Sequence, residues 1–167
     1  PAIAEGFYYD FDFEKSINDD DLKKIESEMQ KIIKENLVIE LFTMQENEAV
    51  EFMIERNQPY KIELIEKHKN DGALMFRKQG EFVDLCGGTH MMSTGCIKSF
   101  KLIGYSGAYW KGDSKNKMLT RIYGISFPKK SMLEEYLQIL EDRKSRDHRK
   151  ICKDLKLFMT HPLVGSG

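Results

Sequence analysis

Cys86 and His90 bracket Gly87, Gly88 and Thr89 at the end of an apolar run, in Phe82-Val83-Asp84-Leu85-Cys86-Gly87-Gly88-Thr89-His90. A thiol and an imidazole at this spacing can converge on one point. They would serve there as two zinc ligands, or as acid, base and nucleophile candidates for ester chemistry. Asp84 adds a carboxylate just before the thiol. Phe82 to Leu85 is expected as a short buried strand, which the two glycines end in a tight turn whose backbone can approach a ligand closely. Taken alone, Cys-x-x-x-His fits a structural cysteine beside a turn histidine better than a site, because two ligands do not close a tetrahedral zinc shell.

A second concentration of chemistry lies between two expected strands, Ser99 to Gly104 and Met118 to Phe127. The connection from Tyr105 to Lys117 holds the single tryptophan, Trp110, among tyrosines and glycines, then Lys111, Lys115 and Lys117, with Arg121 close behind. Aromatic faces beside phosphate-seeking cations suit the end of a single-stranded RNA. A polar hairpin loop with one packed tryptophan fits the same residues equally well.

The elements that must position these groups follow from periodicity. Phe7, Tyr9, Phe11 and Phe13 alternate with Tyr8, Asp10 and Asp12, as a half-buried strand requires, which puts Tyr9 on the apolar face with a hydroxyl in need of a partner. Asn18 or Asp19 caps a helix to about Asn36, with Leu22, Ile25, Met29, Ile32 and Ile33 at helical spacing and acidic residues at its start. Val38 to Phe42 is β-prone, and Thr43 with Glu46 resembles a capping box for a second helix that Pro59 ends. Tyr60 to Ile65 alternates as a strand, on which Lys61 would ordinarily be solvated surface. Asn70-Asp71-Gly72 reads as a turn, followed by Ala73 to Arg77, a Gln79-Gly80 turn, and the strand leading into Cys86. His68, between lysines, is expected to be exposed. Ser131 with Glu134 starts a long helix whose stripe of Leu133, Leu137, Leu140, Ile151 and Leu155 is interrupted by the charged run Arg143 to Lys150.

With 167 residues, the chain has room for one ordinary domain and an appendage. A net charge of −1 excludes a global positive field, so any nucleic-acid contact must be local. Three cysteines without framework spacing suggest free thiols, a reducing compartment and a cytoplasmic protein. No apolar stretch approaches the ~18 residues of a spanning helix, so no membrane partner is expected. A first residue Pro1 and a last stretch Phe158 to Gly167 read as an excised piece.

Several motifs in order then carry a resemblance. They are Gly6-Phe7-Tyr8-Tyr9-Asp10, Pro59-Tyr60-Lys61, Val83 through His90, Gly107-Ala108-Tyr109-Trp110-Lys111-Gly112-Asp113, Met118-Leu119-Thr120-Arg121-Ile122-Tyr123-Gly124 and Arg146-Asp147-His148-Arg149-Lys150. Together they resemble the editing domain of bacterial-type threonyl-tRNA synthetase over almost the whole chain. The resemblance implies an α+β fold, an antiparallel sheet packed with helices and followed by a long linker helix. Residues 1–128 would be the editing domain without its His-x-x-x-His helix, 129–156 the linker helix and 157–167 the start of the aminoacylation domain or a tail. It further implies hydrolysis of seryl-tRNA(Thr) made in error, in a pocket that here corresponds to Tyr9, Lys61, Asp84, Cys86 and His90. In that pocket His90 would orient or deprotonate the attacking water or hold the terminal ribose. Lys61 would hold water or stabilise ester-oxygen charge, Asp84 would read the seryl hydroxyl or ammonium, Cys86 would line the pocket and Tyr9 would offer its hydroxyl. The implied partners are tRNA(Thr) and the remaining domains of the same synthetase, a homodimer at full length. No cofactor is certain for the piece; zinc is possible at Cys86 and His90, while ATP and zinc are expected of the aminoacylation domain.

This sequence departs from the family pattern at two points. The usual Cys-x-Gly-Pro-His is Cys86-Gly87-Gly88-Thr89-His90, closer to the related alanyl-tRNA synthetase editing domain, and the loss of proline frees the turn. The family's upstream His-x-x-x-His helix pair does not occur in this sequence, and His68, His148 and His161 do not replace it. The alternative is a non-catalytic tRNA-binding or zinc-structural module.

Overall fold

The computed structural model describes residues 2–4, 6–67 and 73–146. Two compact units make up the chain, one drawing on Pro1–Ser16 and Lys98–Gly167 and the other formed by the continuous segment Ile17–Ile97. The fold is α+β with antiparallel strands packed by helices, as expected, and the strands divide into two sheets.

In the first unit the sheet runs β1 (Ala2–Ile3), β2 (Gly6–Phe11), β7 (Met118–Phe127) and β6 (Ser99–Tyr109), all antiparallel. Register places Tyr9 opposite Ile122 and Asp10 opposite Arg121. Helix α4 (Lys130–Ser145) packs on β6 and β7, with Phe127 and Tyr136 in ring contact at 5.3 Å. Leu102, Leu119, Ile122, Ile125 and Leu133 are its buried apolar residues, each side chain contributing about 1.5–3 kcal/mol when removed from water.

The second unit begins with α1 (Asp19–Glu35), capped by Asn18 in a reciprocal box with Asp21 and closed by Asn36 in the left-handed conformation at φ 52°. Thr94 ties the end of α1 down: its hydroxyl donates to the Ile32 carbonyl and accepts from the Leu37 amide, both at 2.9 Å. The sheet orders as β3 (Ile39–Met44), β4 (Leu74–Gln79) and β5 (Phe82–Leu85). One face is covered by α2 (Glu46–Glu55) and α3 (Pro59–Lys67), giving a core of Ala49, Met53, Ile65, Leu74 and Phe76. The β4–β5 hairpin turns at Gly80, whose φ of 60° suits a residue without Cβ.

Four local expectations are corrected. Tyr60 to Ile65 is not a strand but most of α3, since Pro59 opens the helix at its first position and Ile62 and Ile65, three apart, turn together onto the core. Helix α2 is boxed by Gln45 and Glu48 and not by Thr43 and Glu46, because the β3–β4 ladder holds Thr43 and Met44 in strand. Ser131 lies inside α4, whose flanking residue is Lys129. Strand β6 continues to Tyr109, so the connection to β7 is shorter than expected. The Asn70–Gly72 turn, His68, and the helix and tail beyond residue 146 lie outside the described residues. Among the described residues no helix is long and apolar enough to cross a membrane.

Candidate active site

The helical setting of Lys61 decides its chemistry. It precedes the fully buried Ile65 by one turn, so its stem follows the core-facing side of α3 and does not project to solvent. The ammonium reaches β5 and donates to Asp84 Oδ1, with side chains 21% and 18% exposed respectively. An ion pair this sheltered interacts more strongly than a surface pair, and each charge would be costly to leave alone.

On the neighbouring strand Arg77 lies directly opposite Asp84 in the β4–β5 register, so the two share a sheet face. Beyond β5 the ladder takes one more step, the Cys86 amide donating to the Met75 carbonyl at 3.0 Å, and the chain then leaves the sheet. The expected tight glycine turn is a bend in which neither Gly87 nor Gly88 has positive φ. A Cβ on Gly87 would meet Met75 Cε at 3.5 Å and one on Gly88 would meet Cys86 Sγ at 3.8 Å, both ordinary contacts. The chain's own packing therefore does not require glycine there; bare backbone instead leaves room for a ligand to approach.

The Gly88 carbonyl receives two donors. Arg77 Nη2 donates to it at 3.0 Å, and His90 Nδ1 lies 3.0 Å from it. A carbonyl oxygen only accepts, so Nδ1 carries the hydrogen and the lone pair of a neutral His90 ring is on Nε2. His90 is exposed and Cys86 is half-buried with a free thiol. This arrangement provides a base with a defined tautomer, a cation beside a carboxylate, and open backbone between them. Arg77 was not singled out from sequence. Its signal is the hairpin itself, since a two-residue turn at Gly80-Glu81 pairs Arg77 with Asp84.

The other residues sit as follows. Tyr9 belongs to the first unit, on β2, 36% exposed with its ring 5.1 Å from that of Phe11. Trp110 begins a short 3-10 turn closed by the Asp113 amide donating to the Trp110 carbonyl at 3.3 Å; the Trp110 amide itself donates across the loop to the Lys117 carbonyl at 3.0 Å, and the Lys111 ammonium stands 6.0 Å from the indole centre. Lys115 is exposed, whereas Lys117 pairs with Asp12 at 2.7 Å. Arg121 is bound most firmly: its guanidinium forks onto Asp10 at 2.7 and 2.8 Å and stacks 3.9 Å from the Tyr8 ring centre. Hydrogen bonding to Asp10 raises its pKa above the ordinary guanidinium value. For metal binding, Cys86 and His90 provide two donors, and among the described residues no group of three or more His, Cys, Asp or Glu is gathered to hold an ion.

Residues 77–123, which include Arg77, Asp84, Cys86, His90 and the Trp110 loop, match the family described as Threonyl and Alanyl tRNA synthetase second additional domain. The chain is 58% identical over 162 residues to the threonine–tRNA ligase of Caldanaerobacter subterraneus subsp. tengcongensis, covering 97% of this chain and 25% of that protein. It is 56% identical over 158 residues to the ligase of Carboxydothermus hydrogenoformans, covering 95% and 25%. It is 56% identical over 167 residues to that of Clostridium botulinum (strain Eklund 17B / Type B), covering 100% and 26%. The chain thus spans about a quarter of the length of the curated relatives it matches.

Proposed function

We propose that this chain, which corresponds along nearly its whole length to a quarter of a threonine–tRNA ligase and carries the second additional domain, is the editing part of such an enzyme. Its reaction is hydrolysis of the ester in seryl-tRNA(Thr). The physical need comes from the amino acids: serine lacks one methyl of threonine, and a missing methyl in a binding pocket discriminates by only ~1–3 kcal/mol. A second site that admits serine and excludes the extra methyl removes the product that the first cannot refuse.

The observation that supports this reading is the imidazole held on the Gly88 carbonyl, which Arg77, the cross-strand partner of Asp84, also holds, together with the sheltered Lys61–Asp84 pair. His90 Nε2 accepts a proton from water as the water oxygen attacks the seryl carbonyl carbon. Negative charge developing on the carbonyl oxygen is stabilised by the Lys61 ammonium, and Asp84 attracts the seryl ammonium or hydroxyl. Collapse of the tetrahedral intermediate breaks the bond to the ribose oxygen, which takes the proton back from His90. The products are free serine and uncharged tRNA, with His90 neutral again.

In the full-length ligase carrying this segment, His90→Ala or Lys61→Ala should abolish seryl-tRNA hydrolysis and leave threonine charging near normal. Equal loss of both reactions would overturn the assignment of His90 and Lys61 to a separate hydrolytic pocket. Tight tRNA binding by a wild-type protein that releases no serine would favour a non-catalytic module.

A further inference from the structure

We propose that Arg77 is a positioning residue of this site, fixing the Gly88 carbonyl and, through it, the ring of His90; the inference rests on the hydrolytic reading above. The Gly88 oxygen has two lone pairs, and the structure gives one to Arg77 Nη2 and the other to His90 Nδ1, each at 3.0 Å. The two sides of this relay differ in rigidity. Gly88 lies in irregular chain beyond β5 with no side chain to pack, whereas Arg77 stands on β4, the middle strand, paired with Leu41 of β3 and Asp84 of β5. The guanidinium thus transmits the fixed geometry of the sheet to a loop that has little of its own.

Two further observations favour a positioning role over simple packing. Arg77 Nε is buried without a hydrogen-bond partner, a destabilising arrangement that an apolar residue on the same strand would avoid. Arg77 is also the cross-strand neighbour of Asp84, so the strand position that anchors the Gly88 carbonyl is the one in register with the carboxylate. Without its donor the Gly88 peptide is free to rotate, the Nδ1–H of His90 loses a fixed acceptor, and the lone pair on Nε2 is no longer guaranteed to face the water.

The test uses Arg77→Met, which keeps the stem and removes every donor, with Arg77→Gln as a second variant too short to span to Gly88. Side-chain nitrogen NMR of the chain at a pH where histidine is neutral, assigned with His90→Gln, should show one Nδ1–H tautomer for wild-type His90 and a mixture in either folded variant. In the full-length ligase, kcat for seryl-tRNA hydrolysis should fall about 10- to 100-fold with KM little changed, the penalty of a misplaced catalytic group. An unchanged His90 tautomer in a folded variant would overturn the inference whatever the rate does, because a merely structural role lowers activity without touching the ring. If the wild-type enzyme released no serine, the hydrolytic reading would fall, and the tautomer would still decide whether Arg77 sets the ring.

Discussion

Lys61 and Asp84 illustrate how much a single pairing changes a residue. On sequence Lys61 looks like surface; in the fold its ammonium is held on a carboxylate 23 residues away with both side chains mostly sheltered. Removing either partner leaves a partly buried charge, so Lys61→Ala and Asp84→Ala should each destabilise the second unit by about 1–3 kcal/mol, between exposed and fully buried pairs. The double variant should cost clearly less than the sum. Urea denaturation of the four proteins completes the cycle, and strict additivity would mean that the pair is not coupled.

Helix α1 shows the same economy at the scale of an element. Its start is held by Asn18, whose side chain accepts from the Asp20 and Asp21 amides at 2.9 and 3.0 Å, while Asp21 returns a bond to the Asn18 amide. Hydrogen bonding to Lys24, then to the Asn18 backbone, holds the Asp21 carboxyl below its ordinary pKa, and Lys23 does the same for Asp20. A carboxylate with a depressed folded pKa stabilises the helix above its unfolded value and loses that contribution as pH falls through the folded one. Protection factors of the first-turn amides of α1, corrected for the intrinsic exchange rate at each pH, should therefore fall on acidification into and below the carboxylate range, before those of the Phe76 core do. Asn18→Ala should cost about 1 kcal/mol through the lost cap, whereas Lys23→Ala and Lys24→Ala should reduce the acid sensitivity.

For the molecule as a whole, a net charge of −1 means that the proposed tRNA contact must rest on local cations, and the fold sorts them. Arg121 is forked to Asp10 and Lys117 is paired with Asp12, whereas Lys115 is exposed on the connection between β6 and β7. Lys115→Ala should weaken tRNA binding modestly and lower the slope of log affinity against log salt by about one, without changing stability. Arg121→Ala should instead lower the melting temperature of the first unit. Salt titrations and thermal melts of both variants separate these outcomes; a salt slope unaltered by Lys115→Ala would remove that lysine from the interface.

The local patterns were legible because they depend on neighbours in the chain. The strand from Phe7 to Phe11, the Asn18 and Asn36 limits of α1 and the β4–β5 hairpin are set by periods of two or 3.6 residues and by caps and turns, whereas the exposure of Tyr9 and Phe13 is not given by the alternation. The ordered motifs by themselves resemble the synthetase editing family. What tertiary structure alone decided is what lies far apart in sequence or fits two periods at once. Tyr60 to Ile65 has apolar residues at 62, 64 and 65, which a strand or a helix can accommodate over six residues; packing of Ile62 and Ile65 on the Phe76 core chose the helix. That choice turned Lys61 toward Asp84. Arg121 meets Asp10 across 111 residues, and Arg77 meets Gly88 beyond the end of its hairpin. No periodicity encodes such partners: which cation is neutralised, and which holds a loop in place, depends on strand register and on side-chain reach in the folded chain.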